Sequence, residues 1–473
     1  EVFAVRNNGS KVDYLFPLDT SDGRNWAADV TLPERDIQTF RYNYVICTGE
    51  QVVRREWNAV PRSFQAADLN FRMNDYWRDI PELNHLYSAA YCNAVSHFKA
   101  QDPRLVYFQQ TLVFRVQAPQ LKKGQVLALL GSQPPLGAWD PRRYLRMQRA
   151  GVNEWVISLS ATGLYLPFEY KYVVVDETSG ELTEWEGGAN RLSPSGLMQQ
   201  NQVLVIQDTE VRLKADRWKA AGVVIPVFSL RSEKSQGVGD FSDLAKMAEW
   251  AHSVGMTVVQ LLPVNDTTQT GSWTDCYPYS SISIYALHPM YVDLQSLPPI
   301  NDAGYMQEYE KKRRELNALP QVDYEEVNRL KHGYLQKLYN QIQRSLQHDE
   351  DYLQFCSANE SWLVPYAAFC LLRDKYNTCD FTAWPRHSTY KEEEVSLWAR
   401  KKKTELGYYM FVQYLLDKQL YEAATVARSL GVVLKGDIPI GISRCSVESW
   451  TEPHLFHMNG QAGAPPDDFS VNG

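Results

Sequence analysis

Apolar and polar residues alternate in short runs along the first part of the chain. Clear runs are FRYNYVICTG at residues 40–49, LVFRVQA at 112–118 and FEYKYVVVD at 168–176, with glycine and proline between many of them. Because successive side chains of a β-strand point to opposite faces, this period of two predicts antiparallel β-structure. We therefore expect two immunoglobulin-like β-sandwich modules, over residues 1–75 and 106–208.

The two β-rich segments also resemble each other in the order of their aromatic residues, which indicates an internal repeat. The matching positions are Trp26, the FRYNY run at 40–44 and Trp57 in the first segment, and Trp155, the FEYKY run at 168–172 and Trp185 in the second. This spacing predicts two copies of one module, the first without its opening strands. Residues 76–105 between them are expected to form a linker with a short helix.

A different pattern begins after residue 209. Apolar runs at 222–228, 256–262 and 431–436 are short and rich in valine, which predicts strands buried on both faces of a sheet. An amphipathic helix separates the first two runs, and strand, helix, strand in this order indicates a parallel sheet. Because three such strands are fewer than the eight of a full barrel, residues 209–473 are expected to be the first part of a (β/α)8 TIM barrel with helical insertions.

Asp437 follows the third apolar run, and Pro439 ends the pairing after it. Barrel enzymes place their chemistry at the C-terminal ends of their strands, so this carboxylate is a candidate site residue. The alternative is an aspartate that caps the following turn, which the stretch alone favours. A second polar turn, Gly237–Asp240, lacks the G-K-S/T ending of a phosphate loop and is expected to cap a helix through Asp240 or Ser242.

Composition and charge exclude several classes of function. The net charge is -8, and no apolar stretch approaches the length of a membrane span, so neither a nucleic acid nor a membrane is an expected partner. The seven cysteines are scattered without a C-x-x-C motif, which predicts no metal site and no disulfide framework, and favours the cytoplasm. The chain starts at Glu1 without methionine and is expected to be cut at both ends.

Three motifs after residue 270 occur in the order typical of one enzyme family. They are YPYSS at 277–281, GDIPIG at 436–441 and PPDDFS at 465–470. In them the chain resembles the 4-α-glucanotransferase (amylomaltase) family, of the type with tandem N-terminal starch-binding modules. The resemblance implies that Tyr279 stacks on the glucose being transferred, that Asp437 supports this donor site, and that Asp467 lies in a loop closing over the acceptor glucan. It also implies that the nucleophile and the acid/base lie beyond Gly473.

The second β-rich segment resembles starch-binding modules over nearly its whole length. The matching stretches are LGAWD at 136–140, FEYK at 168–171 and WEGGANR at 185–191. By this resemblance Trp139 and Trp185 stack on consecutive glucose rings, and Lys171, Glu186 and Asn190 bond the sugar hydroxyls. In the first segment Trp57 takes the place of Trp185, while Asn43, Asn58 and Arg62 stand at the polar positions. Sugar binding and a structural role are both open there.

Together these features predict an enzyme that moves glucosyl or maltosyl units between α-1,4-glucans by a retaining double displacement, without cofactor or metal. Starch, glycogen or malto-oligosaccharides are the expected partners. One alternative is a non-catalytic glucan-binding protein with a degenerate barrel. Another is an α-amylase-like hydrolase. The sequence leaves the preferred donor and acceptor and the oligomeric state open.

Overall fold

A computed structural model describes most of the chain. The described residues are 1–33, 36–49, 51–65, 69–92, 103–122, 124–151, 153–214, 219–439, 441–460, 463 and 465. The chain divides into two compact units, Glu1–Trp218 and Lys219–Gly473. The first unit is rich in β-strands, and the second is mostly helical.

Sixteen strands lie in the described part of the first unit. They are β1 (Val2–Arg6), β2 (Lys11–Tyr14), β3 (Ile37–Tyr42), β4 (Val45–Thr48), β5 (Gln51–Arg55), β6 (Arg62–Gln65), β7 (Asn70–Asn74), β8 (Gln110–Gln117), β9 (Gln125–Gly131), β10 (Leu145–Arg146), β11 (Gln148–Ala150), β12 (Glu154–Ser160), β13 (Glu169–Asp176), β14 (Leu182–Trp185), β15 (Arg191–Leu192) and β16 (Gln202–Gln207). One sheet has the order β2-β1-β3-β6, β4 and β5 form a hairpin, and a third sheet has the order β10-β9-β13-β14 with β15 on β13.

The remaining sheet of this unit joins the two β-rich segments, because its order is β11-β12-β8-β16-β7. Strand β16 runs parallel to both β8 and β7, with Val203 paired to Phe71. The expectation of purely antiparallel sheets is therefore wrong for this sheet. Its parallel neighbours are far apart in sequence, which leaves room for the long connections that parallel pairs require. Between β7 and β8 the predicted short helix corresponds to a 3-10 turn at Asn84–Tyr87, and residues 93–102 lie outside the described part.

The two tryptophans that suggested matching starts of the repeat have opposite surroundings. Trp155 on β12 is 3% exposed and belongs to the main core of the second segment. Trp26 lies in a loop and is 58% exposed. The predicted equivalence of these two residues is therefore wrong in the folded chain.

The described part of the second unit contains three strands and eight α-helices. The strands are β17 (Gly222–Ile225), β18 (Val258–Leu261) and β19 (Val433–Lys435). The helices are α1 (Phe241–Ser253), α2 (Ala303–Asn317), α3 (Tyr324–Leu346), α4 (Glu350–Ala358), α5 (Glu360–Tyr376), α6 (Glu392–Lys401), α7 (Lys403–Ser429) and α8 (Val447–Thr451). The strands pair in the order β17-β18-β19, all parallel, which confirms the predicted strand-helix-strand arrangement. Asp240 caps α1, as expected, by accepting bonds from the backbone N–H groups of Ser242 and Asp243.

Helices cover one face of this sheet in the described part of the chain. Val223 and Ile225 pack against the helical core, whereas Val224 between them is 62% exposed. In β19, Val433 and Leu434 are half-buried and Lys435 is exposed. The prediction of strands buried on both faces is therefore wrong for the described residues, because one face has no covering layer there.

The long segment after β18 has little regular structure, and buried side chains bond its backbone instead. Gln413 on α7 bonds both the N–H and the carbonyl of Leu287 at 2.8 Å. Gln419 does the same for Asp293, at 2.8 and 2.9 Å. The ammonium of Lys331, on α3, donates to the carbonyls of Met290 and Val292. Because buried backbone groups need partners, these three side chains fix an otherwise irregular loop.

Candidate functional site

Trp139 and Trp185 form an aromatic pair on the surface of the first unit. Their ring centroids are 6.3 Å apart, and the ring planes make an angle of 48°. Trp185 ends β14 and is 38% exposed, and Trp139 is half-buried against the core of the second segment. The structure thus brings together the two rings that the sequence predicted as a pair, as a tilted platform open to solvent.

The turn before Trp139 fixes the position of this ring. Gly137 has φ +87°, and a Cβ there would lie 2.5 Å from the carbonyl oxygen of Arg143, so the turn requires glycine. Trp139 itself has φ 62°, and its N–H donates to Gly131 at 3.0 Å. A bulky residue in the left-handed region is strained, and such strain is typical of functional positions.

Lys171 and Asn190 lie near Trp185 in the fold. The ammonium of Lys171 donates to the carbonyls of Glu186 and Gly188 at 2.9 and 2.7 Å, so it supports the loop that follows Trp185. The side-chain amide of Asn190 donates to Glu169 at 2.8 Å and is exposed. Both side chains therefore belong to the loop that follows Trp185 or bond to it.

Glu186 does not face the platform. It is 1% exposed, and its carboxylate accepts bonds from the guanidinium of Arg191 at 2.5 to 3.0 Å and from Arg212 at 3.1 Å. Burial raises the pKa of Glu186, but the bonds from these arginines outweigh it, so that the pKa lies below its ordinary value. The expected bond from the Glu186 side chain to sugar is therefore wrong, because two buried cationic contacts already occupy the carboxylate.

The first β-rich segment contains the same buried cluster. In the second segment Tyr170 and Tyr172 donate to Asp208 at 2.8 and 2.6 Å, and Arg191 pairs with both Asp208 and Glu186. The corresponding residues of the first segment make the same contacts. Tyr42 and Tyr44 donate to Asp75 at 2.6 and 2.9 Å, and Arg62 pairs with Glu56 and Asp75. The predicted repeat is therefore present in the buried interior.

This cluster shows that the predicted equivalence of Trp57 and Trp185 is wrong. Because Glu56 corresponds to Glu186, the next residue, Trp57, corresponds to Gly187. Their backbone N–H groups make equivalent bonds: that of Trp57 donates to the carbonyl of Arg78 at 2.9 Å, and that of Gly187 to the carbonyl of Arg212 at 2.8 Å. The ring of Trp57 packs edge-on against Tyr87, with centroids 5.0 Å apart. Asn58 is likewise not in the glutamate position. Pattern matching failed here because the order Trp-Glu of the second segment is Glu-Trp in the first.

In the second unit Tyr279 and Asp437 are in direct contact. The phenolic hydroxyl of Tyr279 donates to Oδ2 of Asp437 at 2.7 Å. This hydrogen bond raises the pKa of Tyr279. Tyr277 lies beside Tyr279 with a centroid distance of 5.6 Å, and both side chains are at least partly accessible. The two residues predicted for one donor site thus meet, one after β18 and one after β19.

Two polar residues that the sequence analysis missed, the half-buried Gln269 and the buried Glu448, hold these two loops together. Gln269 donates to the carbonyl and hydroxyl of Ser280, at 2.9 and 2.8 Å, and accepts from Ser443 at 3.2 Å. Glu448 on α8 accepts from the hydroxyl of Ser283 and the N–H of Ile284, at 2.8 and 3.1 Å. Burial raises the pKa of Glu448. Single polar residues in loops have no periodicity, so the sequence pattern gave no signal for either residue.

Asp467 lies outside the described residues, as does most of the PPDDFS motif. Across the ranges that are described, no group of three or more histidine, cysteine, aspartate or glutamate side chains is arranged to hold a metal ion. No helix in that part of the chain is long and apolar enough to cross a membrane.

Two family models match the chain. The model described as 4-alpha-glucanotransferase matches residues 225–473, and the starch binding domain matches residues 109–203. These ranges contain the Tyr279–Asp437 contact and the Trp139–Trp185 pair, respectively.

Among similar proteins, the 4-alpha-glucanotransferase DPE2 of Oryza sativa subsp. japonica is 34% identical over 458 residues, which is 92% of this chain and 48% of that protein. A 4-alpha-glucanotransferase of Chlamydia caviae is 32% identical over 263 residues, 54% of this chain and 48% of that protein. The solved amylomaltase of Streptococcus agalactiae in complex with acarbose is 23% identical with a TM-score of 0.44, over 54% of this chain and 51% of that one. The chain spans about half the length of the curated relatives it matches.

Proposed function

Because the chain belongs to the 4-alpha-glucanotransferase family, we propose that it is part of an enzyme that transfers glucosyl or maltosyl units between α-1,4-glucans. The observation that carries this proposal is the hydrogen bond between Tyr279 and Asp437, at the C-terminal ends of two adjacent parallel strands. This is the edge at which α/β folds bind their substrates.

In this donor site the ring of Tyr279 stacks on the glucose unit to be transferred. An aromatic ring offers an apolar face to a sugar ring, and its hydroxyl is held by Asp437, which fixes its direction. Asp437 keeps a second carboxylate oxygen that is free to accept a bond from a sugar hydroxyl while the first holds Tyr279. Asp437 therefore supports the site and is neither nucleophile nor acid.

The reaction proceeds by two displacements with retention, which needs a nucleophile and an acid/base about 5 Å apart. We assign neither role to a residue up to Gly473, and both are expected beyond it. An acceptor hydroxyl takes the place of water in the second step, and Asp467 belongs to the loop that closes over this acceptor. Closure favours transfer because it orients the acceptor and excludes water.

The finer architecture follows the same proposal. Residues 209–473 form the first part of a (β/α)8 barrel in which β17, β18 and β19 are neighbouring strands; their parallel order supports this. Residues 1–75 and 106–208 form immunoglobulin-like modules joined by the linker at 76–105. The scattered cysteines support a cytoplasmic location.

The second of these modules binds the glucan chain through Trp139 and Trp185, with Lys171 and Asn190 as polar partners. The match to a starch binding domain and the exposed ring pair support this role. Glu186 has a different task, since its buried carboxylate pairs with Arg191 and Arg212. Trp57 is not the counterpart of Trp185, and its ring packs edge-on against Tyr87, so we do not include it in this site.

Incubation of the full-length protein with maltose alone, followed by mass spectrometry of the products, tests this function. A ladder of longer maltodextrins together with glucose is the expected result. Glucose alone would instead identify an α-amylase-like hydrolase. No product from any donor and acceptor pair, with glucan binding intact, would identify a non-catalytic glucan-binding protein.

A further inference from the structure

Tyr165 is an exposed aromatic residue on a well-anchored loop of the first unit. Its side chain is 79% exposed, whereas Leu164 and Leu166 on either side pack against the core. Apolar neighbours that point inward leave this ring pointing to solvent. A flat ring held in a fixed position on the surface can stack on a sugar ring, which makes Tyr165 a candidate binding residue.

The same loop is bonded to the turn that carries Trp139. The amide of Gln133 donates to the carbonyl of Tyr165 at 2.7 Å, and its oxygen accepts from the N–H of Tyr165 at 2.9 Å. The carbonyl of Gln133 in turn accepts from Ala138, the residue before Trp139. One glutamine thus sets the position of Tyr165 relative to the tryptophan platform.

The strand β13 runs between the residue that pairs with Trp185 and the loop that carries Tyr165. Trp185 is paired with Val173, and side chains of residues 171 and 169 share the face of Val173 because strand side chains alternate. The strand spans about 13 Å from Val173 back to Glu169, its first residue. Tyr165 lies in the loop just before Glu169 in the chain. Asn190 bonds Glu169, so a polar rim runs from the tryptophans towards Tyr165.

We propose that Tyr165 is an additional stacking position for the α-glucan chain that Trp139 and Trp185 hold, which rests on the starch-binding role proposed above. The platform then contacts a longer oligosaccharide than two rings alone would. Tyrosine suits this task, because it offers a flat apolar face at a low cost in side-chain entropy and a hydroxyl for the sugar rim.

Calorimetric titration of the 473-residue chain with maltotriose and with maltoheptaose tests the proposal. A Trp139→Ala/Trp185→Ala variant serves as reference, and the binding that it loses defines the platform. At this platform, Tyr165→Ala should lower the affinity for maltoheptaose about 3- to 10-fold. The affinity for maltotriose should not change, because the shorter chain does not reach Tyr165. Tyr165→Phe should keep most of the affinity for maltoheptaose.

Tyr421→Ala is the matched control, since Tyr421 is 68% exposed on α7 in the other unit. Unchanged maltoheptaose affinity in Tyr165→Ala, with binding still lost in the tryptophan variant, would overturn the stacking role of Tyr165 alone. Equal weakening of both oligosaccharides would also overturn it, because Tyr165 would then support the platform itself. Full binding by the tryptophan variant would refute the starch-binding site on which this inference rests.

Discussion

The hydroxyl of Tyr279 lies 2.7 Å from a carboxylate oxygen of Asp437, although 158 positions separate the two residues in the chain. The contact follows from the sheet. Tyr279 comes after β18 and Asp437 after β19, and these strands are parallel neighbours, so their C-terminal ends meet at one edge. Helices α2 to α7 fill the intervening sequence without disturbing this arrangement.

Replacing Tyr279 by phenylalanine should keep the stacking ring and remove its bond to Asp437. Because the hydroxyl no longer holds Asp437 in place, we expect kcat/KM on maltose to fall about 10-fold in the full-length enzyme. The kcat/KM of Tyr279→Ala should fall further, because this variant also loses the stacking ring. Steady-state kinetics measures both. Starch retention should stay at the wild-type level, and a parallel loss of retention would contradict a donor-site role.

Loss of the two platform rings should abolish starch retention. Trp139→Ala/Trp185→Ala removes both stacking faces but leaves the buried Glu186 cluster intact, so folding should persist. Affinity electrophoresis in amylose gels should show a drop of about 10-fold or more. Trp250→Ala is the control, because Trp250 is 48% exposed on α1. Wild-type migration of the double variant would rule out this face as the binding site.

Arg191 should be essential for the stability of the first unit. Its side chain and that of Glu186 are 10% and 0% exposed, so Arg191→Met leaves a buried carboxylate without its main partner. The expected loss in free energy of unfolding is about 3–5 kcal/mol, measured by urea denaturation.

Arg146 supplies a surface comparison. It pairs with Glu177 at 2.9 Å, but both side chains are more than half exposed. Arg146→Met should therefore cost less than about 1 kcal/mol. Similar unfolding free energies for the Arg191 and Arg146 variants would contradict a structural role for the buried cluster.

The raised pKa of Asp240 predicts that the stability of the folded chain depends on pH. Burial raises its pKa from 3.8 to about 6, with Asp243 and Asp293 adding to the shift and Lys331 opposing it. The folded state therefore binds a proton more tightly than the unfolded state, so stability falls as the pH rises from about 4 to about 6.

Asp240→Asn keeps a capping oxygen but does not titrate. Relative to this variant, wild type should lose about 3 kcal/mol of stability across that interval and change no further above about pH 7. Urea denaturation at several pH values measures the difference. A constant difference from pH 4 to pH 7 would show that the carboxylate ionises freely in the fold.

Local pattern was sufficient for the parts of the fold that depend on neighbours in sequence. The alternation of apolar and polar residues predicted β8 and β13. The spacing of apolar residues predicted β17, α1 and β18. The family resemblance assigned Tyr279 and Asp437 to one donor site, but their direct hydrogen bond was not predicted. Predicting these strands and α1 required no knowledge of distant partners.

The errors concern side chains whose partners lie elsewhere. Glu186 stands in a motif associated with sugar contact, but its carboxylate pairs with Arg191 in that motif and with Arg212, 26 residues away. Gln413 reaches Leu287 across 126 residues, with no pattern to indicate it. Trp57 was wrongly aligned with Trp185 because the alignment relied on the spacing of aromatic residues. The feature that the two segments share is the buried glutamate, Glu56 in the first and Glu186 in the second.

The pairing of β7 with β16 determines where this chain can be cut. Strand β16 has a hydrogen-bonded neighbour on each side, β8 and β7. Removing residues 1–75 would turn β16 into an edge strand, with unpaired backbone groups beside the apolar Val203 and Val205. A strand of another molecule can pair with such an edge, so a fragment that starts at residue 106 should self-associate. A fragment of residues 1–218 should not, because β7 remains paired with β16.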